Sequence, residues 1–322
     1  QNIARFTAPD VAQREDGKFV SLFAPGVSFT AIPGYLVGKY FGASQVGAYA
    51  TSALFALFNI VLIQLIARKL GATRAASMVA SLTYLFASPA FAYAVNLYQH
   101  HISTFLILMS VYALIKWKNV WSTAIVWFLY AFSIVIDYPN AILLSPIAIF
   151  ALTRIFSLDI NPEKLVIKFK YLGILTFITA LIPIGFFMWS NTESYGKSLQ
   201  LAGTLQRVKV IQDESTLTDR QLVQREIEKE NSNQKEKTAV GFFQTRKLLD
   251  GFYIHIFSNE RGIIWYTPIM LFGILGAVLL YRENPSKSAL LIGIIGSNIV
   301  LYSMWADPWG GWAFGSRYLI PT

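Results

Sequence analysis

The sequence predicts an all-α fold. We expect a polytopic transmembrane helical bundle of about eight spans, with a re-entrant or interfacial helix near the N-terminus and a partly helical extracytoplasmic loop. Of the 322 residues, 54% are hydrophobic and only 14% are charged, whereas soluble domains carry about 25% charged residues. The apolar residues collect in runs that approach the roughly 20 residues a membrane span needs. There is no cysteine, which excludes disulfides and thiolate metal sites.

Eight apolar runs are the candidate spans. They lie at 45–66, 75–95, 101–115, 120–136, 139–156, 171–189, 262–281 and 289–305. An earlier run, 26–41, is apolar but contains Pro33 and Gly34. We expect it to be a broken helix that re-enters the membrane or lies at its surface, because neighbouring groups can satisfy the carbonyls that such a break frees.

The short loops between these runs alternate in charge. Every second loop is basic, and together these loops hold eleven Lys or Arg and three acidic residues. The basic residues are Arg68, Lys69, Arg74, Lys116, Lys118, Arg154, Lys164, Lys168, Lys170, Arg282 and Lys287. The opposite short connections are 96–100, 137–138 and 306–317, and Arg317 is the only Lys or Arg in them. The positive-inside rule places the basic loops in the cytoplasm. They account for most of the net charge of +9, so the charge does not call for a nucleic-acid partner.

This topology organises residues 1–322 as a single transmembrane domain. Its parts are a first outer loop and broken helix (1–44), six spans (45–189), an extracytoplasmic loop (190–261), and two spans with an aromatic-arginine outer loop (262–322). All three polar segments emerge on the extracytoplasmic face. Because the chain opens at Gln1 in a polar stretch, we expect at least one further helix before it and more chain after it.

The long outer loop is predicted to contain two helices. Residues Thr218–Gln221 form a capping-box pattern, which should begin a polar helix that runs to about 236. Farther along, residues 242–256 place Phe242, Leu249, Phe252, Tyr253 and Ile256 on roughly one helical face. Such a face is typical of a helix lying in the membrane interface.

The first outer loop supplies candidate catalytic carboxylates. Asp10, Glu15 and Asp16 lie close together in the sequence, and Lys18 follows them. General-base catalysis needs a positioned carboxylate. The alternative is that these residues form a solvated loop.

Two further polar positions lie at the outer ends of apolar runs. His100 and His101 are adjacent, so on a helix they point about 100° apart and make a poor bidentate metal site. They are candidates for phosphate or hydroxyl contacts, or a plain interfacial pair. Asp137 lies between two apolar runs, and a carboxylate near membrane depth is a functional candidate by default. The turn at 138–140 is also expected to lift it to the interface, where its role would be structural.

Two arginines are candidates for binding an anion. Arg261 stands just before the seventh span, and Arg317 follows the eighth. The guanidinium fork suits bidentate binding of a phosphate. The alternatives are an ion pair at a helix end between Glu260 and Arg261, and an interfacial salt bridge between Asp307 and Arg317.

Aromatic residues surround the second of these arginines. Trp309, Trp312 and Tyr318 lie in the stretch WGGWAFGSRY. Tryptophan and tyrosine concentrate at membrane interfaces, so a belt position explains the tryptophans by itself. Their rings are also suitable walls for a sugar site, and Gly310-Gly311 lets the backbone approach a ligand closely.

Five stretches together resemble integral-membrane glycosyltransferases of the GT-C type, in particular bacterial and archaeal homologues of the protein O-mannosyltransferase group. The stretches are QNIARF, DGKFVSLFAPGVSFTAIPGYLVGKYFG, TRAASMVASLTYLFASPAF, NERGIIWYTP and WGGWAFGSRYLIP. The resemblance spans nearly the whole chain. Where those enzymes place a charged residue before the prolines of the broken helix, this chain has Leu22-Phe23-Ala24-Pro25.

The resemblance implies a reaction and a location. Such enzymes move a sugar, with inversion, from a polyprenyl-phosphate carrier to a lipid, glycan or protein acceptor at the outer face of the plasma membrane of a bacterium or archaeon. Their principal catalytic acid follows the first transmembrane helix, which would precede Gln1, so Asp10, Glu15 and Asp16 become second-choice candidates. The resemblance leaves a divalent metal cofactor open.

Two other functions compete with this interpretation. A polytopic transporter or flippase would also be basic on its cytoplasmic side, but it typically carries charges within its spans and internal repeats. The predicted spans are almost free of charge. A non-enzymatic membrane assembly protein is the second alternative, and it would not need polar residues gathered on one face.

Overall fold

A computed structural model describes residues 11–13, 17–161, 164–204, 209–210, 241, 243–311 and 313–321. These residues are mostly helical. By its contacts the chain divides into two compact units. The first comprises Gln1–Pro25 and Gly185–Phe242, and the second comprises Gly26–Ile184 and Phe243–Thr322.

The second unit begins with six helices and two short helical turns that lead to the candidate site. They are α1 (Gly26–Tyr40), α2 (Ser44–Lys69), α3 (Arg74–Phe86), α4 (Ala90–Tyr93), α5 (His100–Lys116), α6 (Ser122–Ile136), α7 (Asn140–Leu143) and α8 (Ser145–Ile155). The predicted break in α1 is wrong, because the helix runs through Pro33 and Gly34. Close packing at two glycines holds this helix against α2 despite the proline. A Cβ at Gly34 or Gly47 would overlap the carbonyl oxygen of the other residue, so the two backbones of α1 and α2 lie in direct contact.

The remaining helices follow a hairpin. They are α9 (Tyr171–Leu175), α10 (Leu181–Tyr195), α11 (Leu248–Ile256), α12 (Ile263–Tyr266), α13 (Leu271–Glu283) and α14 (Pro285–Ser303), with 3₁₀ turns at Thr176–Ala180, Ala202–Thr204, Thr245–Lys247, Pro268–Met270 and Arg317–Leu319. Within the range 242–256, where an interfacial helix is predicted, the structure has α11, which starts at Leu248. The polar helix predicted from Thr218 to about 236 lies outside the described residues.

Short strands accompany the helices, which the all-α prediction did not include. Strands β3 (Phe156–Asn161) and β4 (Lys164–Phe169) pair antiparallel, with Phe156 opposite Phe169, in the basic loop after α8. In the first unit, β1 (Val11–Gln13) pairs antiparallel with both β2 (Phe19–Ser21) and β5 (Lys209–Val210). Tyr195 at the end of α10 donates a hydrogen bond to the carbonyl of Ser21.

Three helices are long and apolar enough to cross a membrane: Ser44–Lys69, Tyr171–Tyr195 and Pro285–Ser303. This agrees with a membrane protein. Every other predicted span contains helix, but prolines divide three of them, since Pro89, Pro146 and Pro268 each stand at or near the start of a new helical segment. The count of eight spans therefore stays a prediction.

Exposed and buried faces also fit a membrane environment. No residue of α13 is buried, and its Phe272 and Ile274 are 70% and 66% exposed. An apolar surface of this extent is unusual on a soluble protein. The main core instead lies between α5, α6, α8 and α14, where Val126, Ile147 and Ala151 are fully buried. Leu301 and Tyr302 belong to this core, which therefore fixes the end of α14.

Candidate functional site

The site forms around Tyr318, in the 3₁₀ turn that follows the long segment after α14. Its ring stacks on Tyr302 at the end of α14, with centroids 4.8 Å apart and planes 10° apart. His100, the first residue of α5, presents its ring at 6.2 Å, and Trp305 lies at 6.3 Å. Tyr318 thereby joins the C-terminal end of a candidate span to the start of α5.

The guanidinium of Arg317 lies among aromatic rings. Its central carbon is 5.2 Å from the ring centroid of Tyr98 and 5.3 Å from that of Tyr318, within the range of cation–π attraction. Its Nε is buried and has no hydrogen-bond partner. Among the described residues Arg317 forms no salt bridge, so the predicted alternative, a pair with the exposed Asp307, is not found there. We call Tyr93, Tyr98, His100, Arg317 and Tyr318 the arginine-aromatic site.

Each glycine of the pair in the late loop contacts one of the two arginines. Gly310 and Gly311 adopt φ angles of +66° and +65°, a conformation that L side chains rarely take. A Cβ on Gly310 would lie 2.9 Å from Cε2 of Tyr318 and 3.3 Å from Nε of Arg317. Arg261 donates from Nη2 to the carbonyl of Gly311 at 2.6 Å. The close approach predicted for these glycines is therefore made to protein side chains.

Arg261 lies near the same glycine pair and the same tyrosine, Tyr93. Its Nε, like that of Arg317, is buried without a hydrogen-bond partner. The charges of both arginines act on the phenol of Tyr93. Tyr93 is itself fixed, because its hydroxyl accepts a hydrogen bond from the backbone N–H of Phe314 at 2.8 Å. The charges of two partly buried guanidinium groups thus act on one phenol.

The two adjacent histidines take different roles. His100 is 2% exposed, its ring lies 5.8 Å from Tyr93 and 5.9 Å from Tyr98, and its Nε2 has no hydrogen-bond partner. His101 points away from the site. Its Nε2 hydrogen bonds with the carbonyl of Ala90 at 2.9 Å and its Nδ1 with the Tyr84 hydroxyl at 3.3 Å. The structure therefore brings His100, and not His101, to the arginine-aromatic site.

A third histidine supports the site and was missed from the sequence. His255 of α11 is fully buried; its Nδ1 lies 2.5 Å from the Ser316 hydroxyl and its Nε2 3.2 Å from the Tyr302 carbonyl. The carbonyl can only accept, so Nε2 carries the proton and Ser316 donates to Nδ1. Burial lowers the pKa of His255, because desolvation disfavours the imidazolium. No local sequence signal marks this residue beyond the scarcity of histidine in the chain.

The other predicted site residues lie elsewhere. Trp309 is 41% exposed and joins none of the ring contacts around Tyr318 among the described residues. Lys18 is exposed and belongs to the first unit. The candidate acids Asp10, Glu15 and Asp16, and the second wall tryptophan Trp312, lie outside the described residues.

The described residues contain no group of three or more His, Asp or Glu side chains that could hold a metal ion. What the site offers is positive charge, buried N–H donors and aromatic faces. Guanidinium N–H groups without partners suit the oxygens of a phosphate, and flat rings suit the apolar faces of a sugar. The arrangement can therefore bind an anion that carries a ring-shaped polar group.

Comparison with known protein families, characterised proteins and solved structures gives no significant match. The resemblance to GT-C glycosyltransferases rests on the five stretches of sequence given above. Its functional meaning has to be argued from the chemistry of the site.

Proposed function

We propose that the protein is an integral-membrane glycosyltransferase. It takes a sugar from a polyprenyl-phosphate carrier and passes it to an acceptor hydroxyl on a lipid, glycan or protein. The reaction takes place at the extracytoplasmic face of the plasma membrane of a bacterium or archaeon. The alternation of basic loops supports this face, because the positive-inside rule keeps those loops in the cytoplasm.

One observation carries the proposal: the Nε atoms of Arg261 and Arg317 are buried without hydrogen-bond partners, close to the same tyrosine. A buried, unsatisfied donor on a charged group is costly. A phosphate bound between the two groups would satisfy both. If the two arginines lie at the membrane surface, as the predicted topology has it, a lipid-phosphate donor would bring its phosphate to them.

The same charges suit the chemical step. As the sugar leaves its carrier, negative charge grows on the phosphate oxygens. Preorganised donors at the place where charge develops are typically the largest catalytic contribution. Arg317 is preorganised by its contacts with Tyr98 and Tyr318, and Arg261 by its hydrogen bond to the Gly311 carbonyl.

The test is a transfer assay on the full chain in proteoliposomes. A panel of radiolabelled polyprenyl-phosphate hexoses and pentoses would be supplied with acceptors extracted from the native membrane. The proposal predicts labelled product and release of unlabelled polyprenyl phosphate. Binding of the lipid with no transfer to any acceptor, together with movement of labelled lipid between leaflets, would favour a flippase instead. Failure to bind the lipid at all would leave the assembly-protein alternative.

A further inference from the structure

A carboxylate outside the predicted catalytic set lies next to the arginine-aromatic site. Asp137 follows α6 directly, where the chain turns into α7. The corner is firmly held. Asn140 donates from Nδ2 to the Ser103 hydroxyl of α5 and to the Ser133 carbonyl of α6, each at 2.9 Å. The Tyr130 hydroxyl donates to the carbonyl of Ala141 at 2.7 Å. Asp137 therefore has a defined position relative to α5.

The carboxylate is linked to two residues that adjoin the site, Gln99 and Tyr302. Its Oδ2 accepts a hydrogen bond from Nε2 of Gln99 at 3.3 Å, and Gln99 immediately precedes His100. On the α14 side, the phenol of Tyr302 lies within electrostatic reach of both Asp137 and Arg317. Since Tyr302 stacks on Tyr318, the acid and the arginine both act on the same aromatic pair.

Asp137 lacks the partners that a structural carboxylate usually has. In the described part of the chain no Lys, Arg or His pairs with it. Its hydrogen bonds come from the neutral Gln99 amide and from the backbone of Tyr138. Burial raises the pKa of Asp137 to about 7, because desolvation outweighs these two hydrogen bonds. A carboxylate that titrates near neutral pH is well matched to accepting a proton and releasing it again.

We propose that Asp137 is the proton acceptor of the transfer reaction, and that it binds the attacking hydroxyl of the acceptor while Arg261 and Arg317 hold the phosphate. The hydroxyl gives its proton to the Asp137 carboxylate, and its oxygen forms a bond to C1 of the sugar. The bond from C1 to the phosphate oxygen breaks, and its electron pair leaves with the polyprenyl phosphate toward the arginines. Asp137 then returns the proton to water.

This inference rests on the proposed function and changes one expectation drawn from the family resemblance. That resemblance places the principal acid before Gln1 and leaves Asp10, Glu15 and Asp16 as second choices. The hydrogen bond to Gln99 and the electrostatic link to Tyr302 support a carboxylate at the end of α6 for this role. In this proposal Arg317 stabilises the negative charge on the leaving phosphate, and Asp137 takes the proton of the attacking hydroxyl.

The test compares Asp137→Asn with wild type in the proteoliposome transfer assay, with binding of the polyprenyl-phosphate sugar measured separately. Asparagine keeps the shape and the Gln99 contact but cannot take a proton. We expect transfer to fall by at least about 100-fold, in the range of general-base catalysis, with donor affinity within about 2-fold of wild type. Asp137→Glu should restore part of the activity with a displaced pH midpoint. Asp250→Asn, an exposed acid on α11, is the matched control and should transfer normally.

The outcomes separate the two proposals. Wild-type protein that transfers no sugar overturns the proposed function and this inference with it. Wild-type transfer with a fully active Asp137→Asn overturns the inference alone. An Asp137→Asn variant that loses donor binding in proportion to its rate also overturns it, since the residue would then shape the donor site. Melting temperature checks that each variant is folded.

Discussion

The ring of Tyr302 stacks face to face on the ring of Tyr318, although sixteen positions separate them in the sequence. Tyr302 belongs to a helix long enough to cross a membrane, and Tyr318 adjoins Arg317. Aromatic pairs of this kind contribute about 0.5–1.5 kcal/mol beyond the area they bury. The stack thereby fixes the depth of the Arg317 guanidinium relative to the end of that helix.

The first prediction concerns Arg317. Replacing it with alanine should lower donor affinity and transfer by roughly 10- to 100-fold, because a charge-assisted hydrogen bond contributes about 1.5–3 kcal/mol. Arg317→Lys should recover only part of this loss, since an ammonium keeps the charge but not the fork. The measurement is lipid-phosphate binding and sugar transfer by the purified variants.

Arg282→Ala is the matched control, because Arg282 is exposed at the end of α13 and belongs to a predicted cytoplasmic loop. It should behave as wild type. Full transfer by Arg317→Ala would remove this residue from the mechanism.

The second prediction separates backbone conformation from packing at the glycine pair. Both Gly310→Ala and Gly311→Ala place a side chain at a positive φ angle, which costs about 1–2 kcal/mol of stability. The alanine at 310 would also press on Tyr318 and Arg317, whereas a Cβ at 311 meets nothing within 4 Å. We expect both variants to lose melting temperature, and Gly310→Ala to lose more donor binding than Gly311→Ala. Equal binding by the two variants would show that Gly310 does not position Arg317.

The third prediction concerns the pH dependence of stability. The folded state keeps His255 neutral because burial lowers its pKa, whereas the unfolded chain protonates this histidine near pH 6.5. As the pH falls below 6.5, the unfolded state binds more protons, and the free energy of unfolding decreases by up to about 1.4 kcal/mol per pH unit.

His255→Gln removes this contribution while an amide can still donate to the Tyr302 carbonyl and accept from Ser316. Its melting temperature should therefore fall less than that of wild type between pH 7 and pH 5. Parallel curves for the two proteins would contradict the assignment of a buried neutral imidazole.

The fourth prediction concerns membrane topology. The chain contains no cysteine, so single cysteines report their own location. Lys118→Cys, in an exposed basic loop, should react with an impermeant maleimide only after the cells are opened. Asp307→Cys, exposed beyond α14, should react in intact cells. Labelling in the reverse order would invert the orientation and exclude a site on the outer face.

The helical nature of the chain could be predicted because it depends on local composition. Runs of apolar residues identified the helices from Ser44 onward. Their ends were less predictable. Pro89 and Pro268 divide runs that hydropathy alone joins, whereas Pro33 lies inside a helix that continues past it, since close packing at Gly34 holds that helix in place.

The site was predictable only in part, because long-range contacts decide its membership. Arg261, Arg317, His100 and Tyr318 were singled out from residue type and position, and the fold brings them into one neighbourhood. His101 has the same type as His100, yet its orientation toward Ala90 removes it from the site. Tyr93, Tyr302 and His255 sit in ordinary apolar stretches, and only the folded chain shows that they meet the late loop.

The contact between Gly34 and Gly47 has a mechanical consequence. Where two helices touch through side chains, those chains can change rotamer and let one helix slide along the other. Here backbone meets backbone, and Gly38 extends the contact by lying against the Ala43 carbonyl and Gly47. No rotamer remains to absorb a displacement. We therefore expect the part of α2 around Gly47 to follow any displacement of α1 at Gly34 and Gly38.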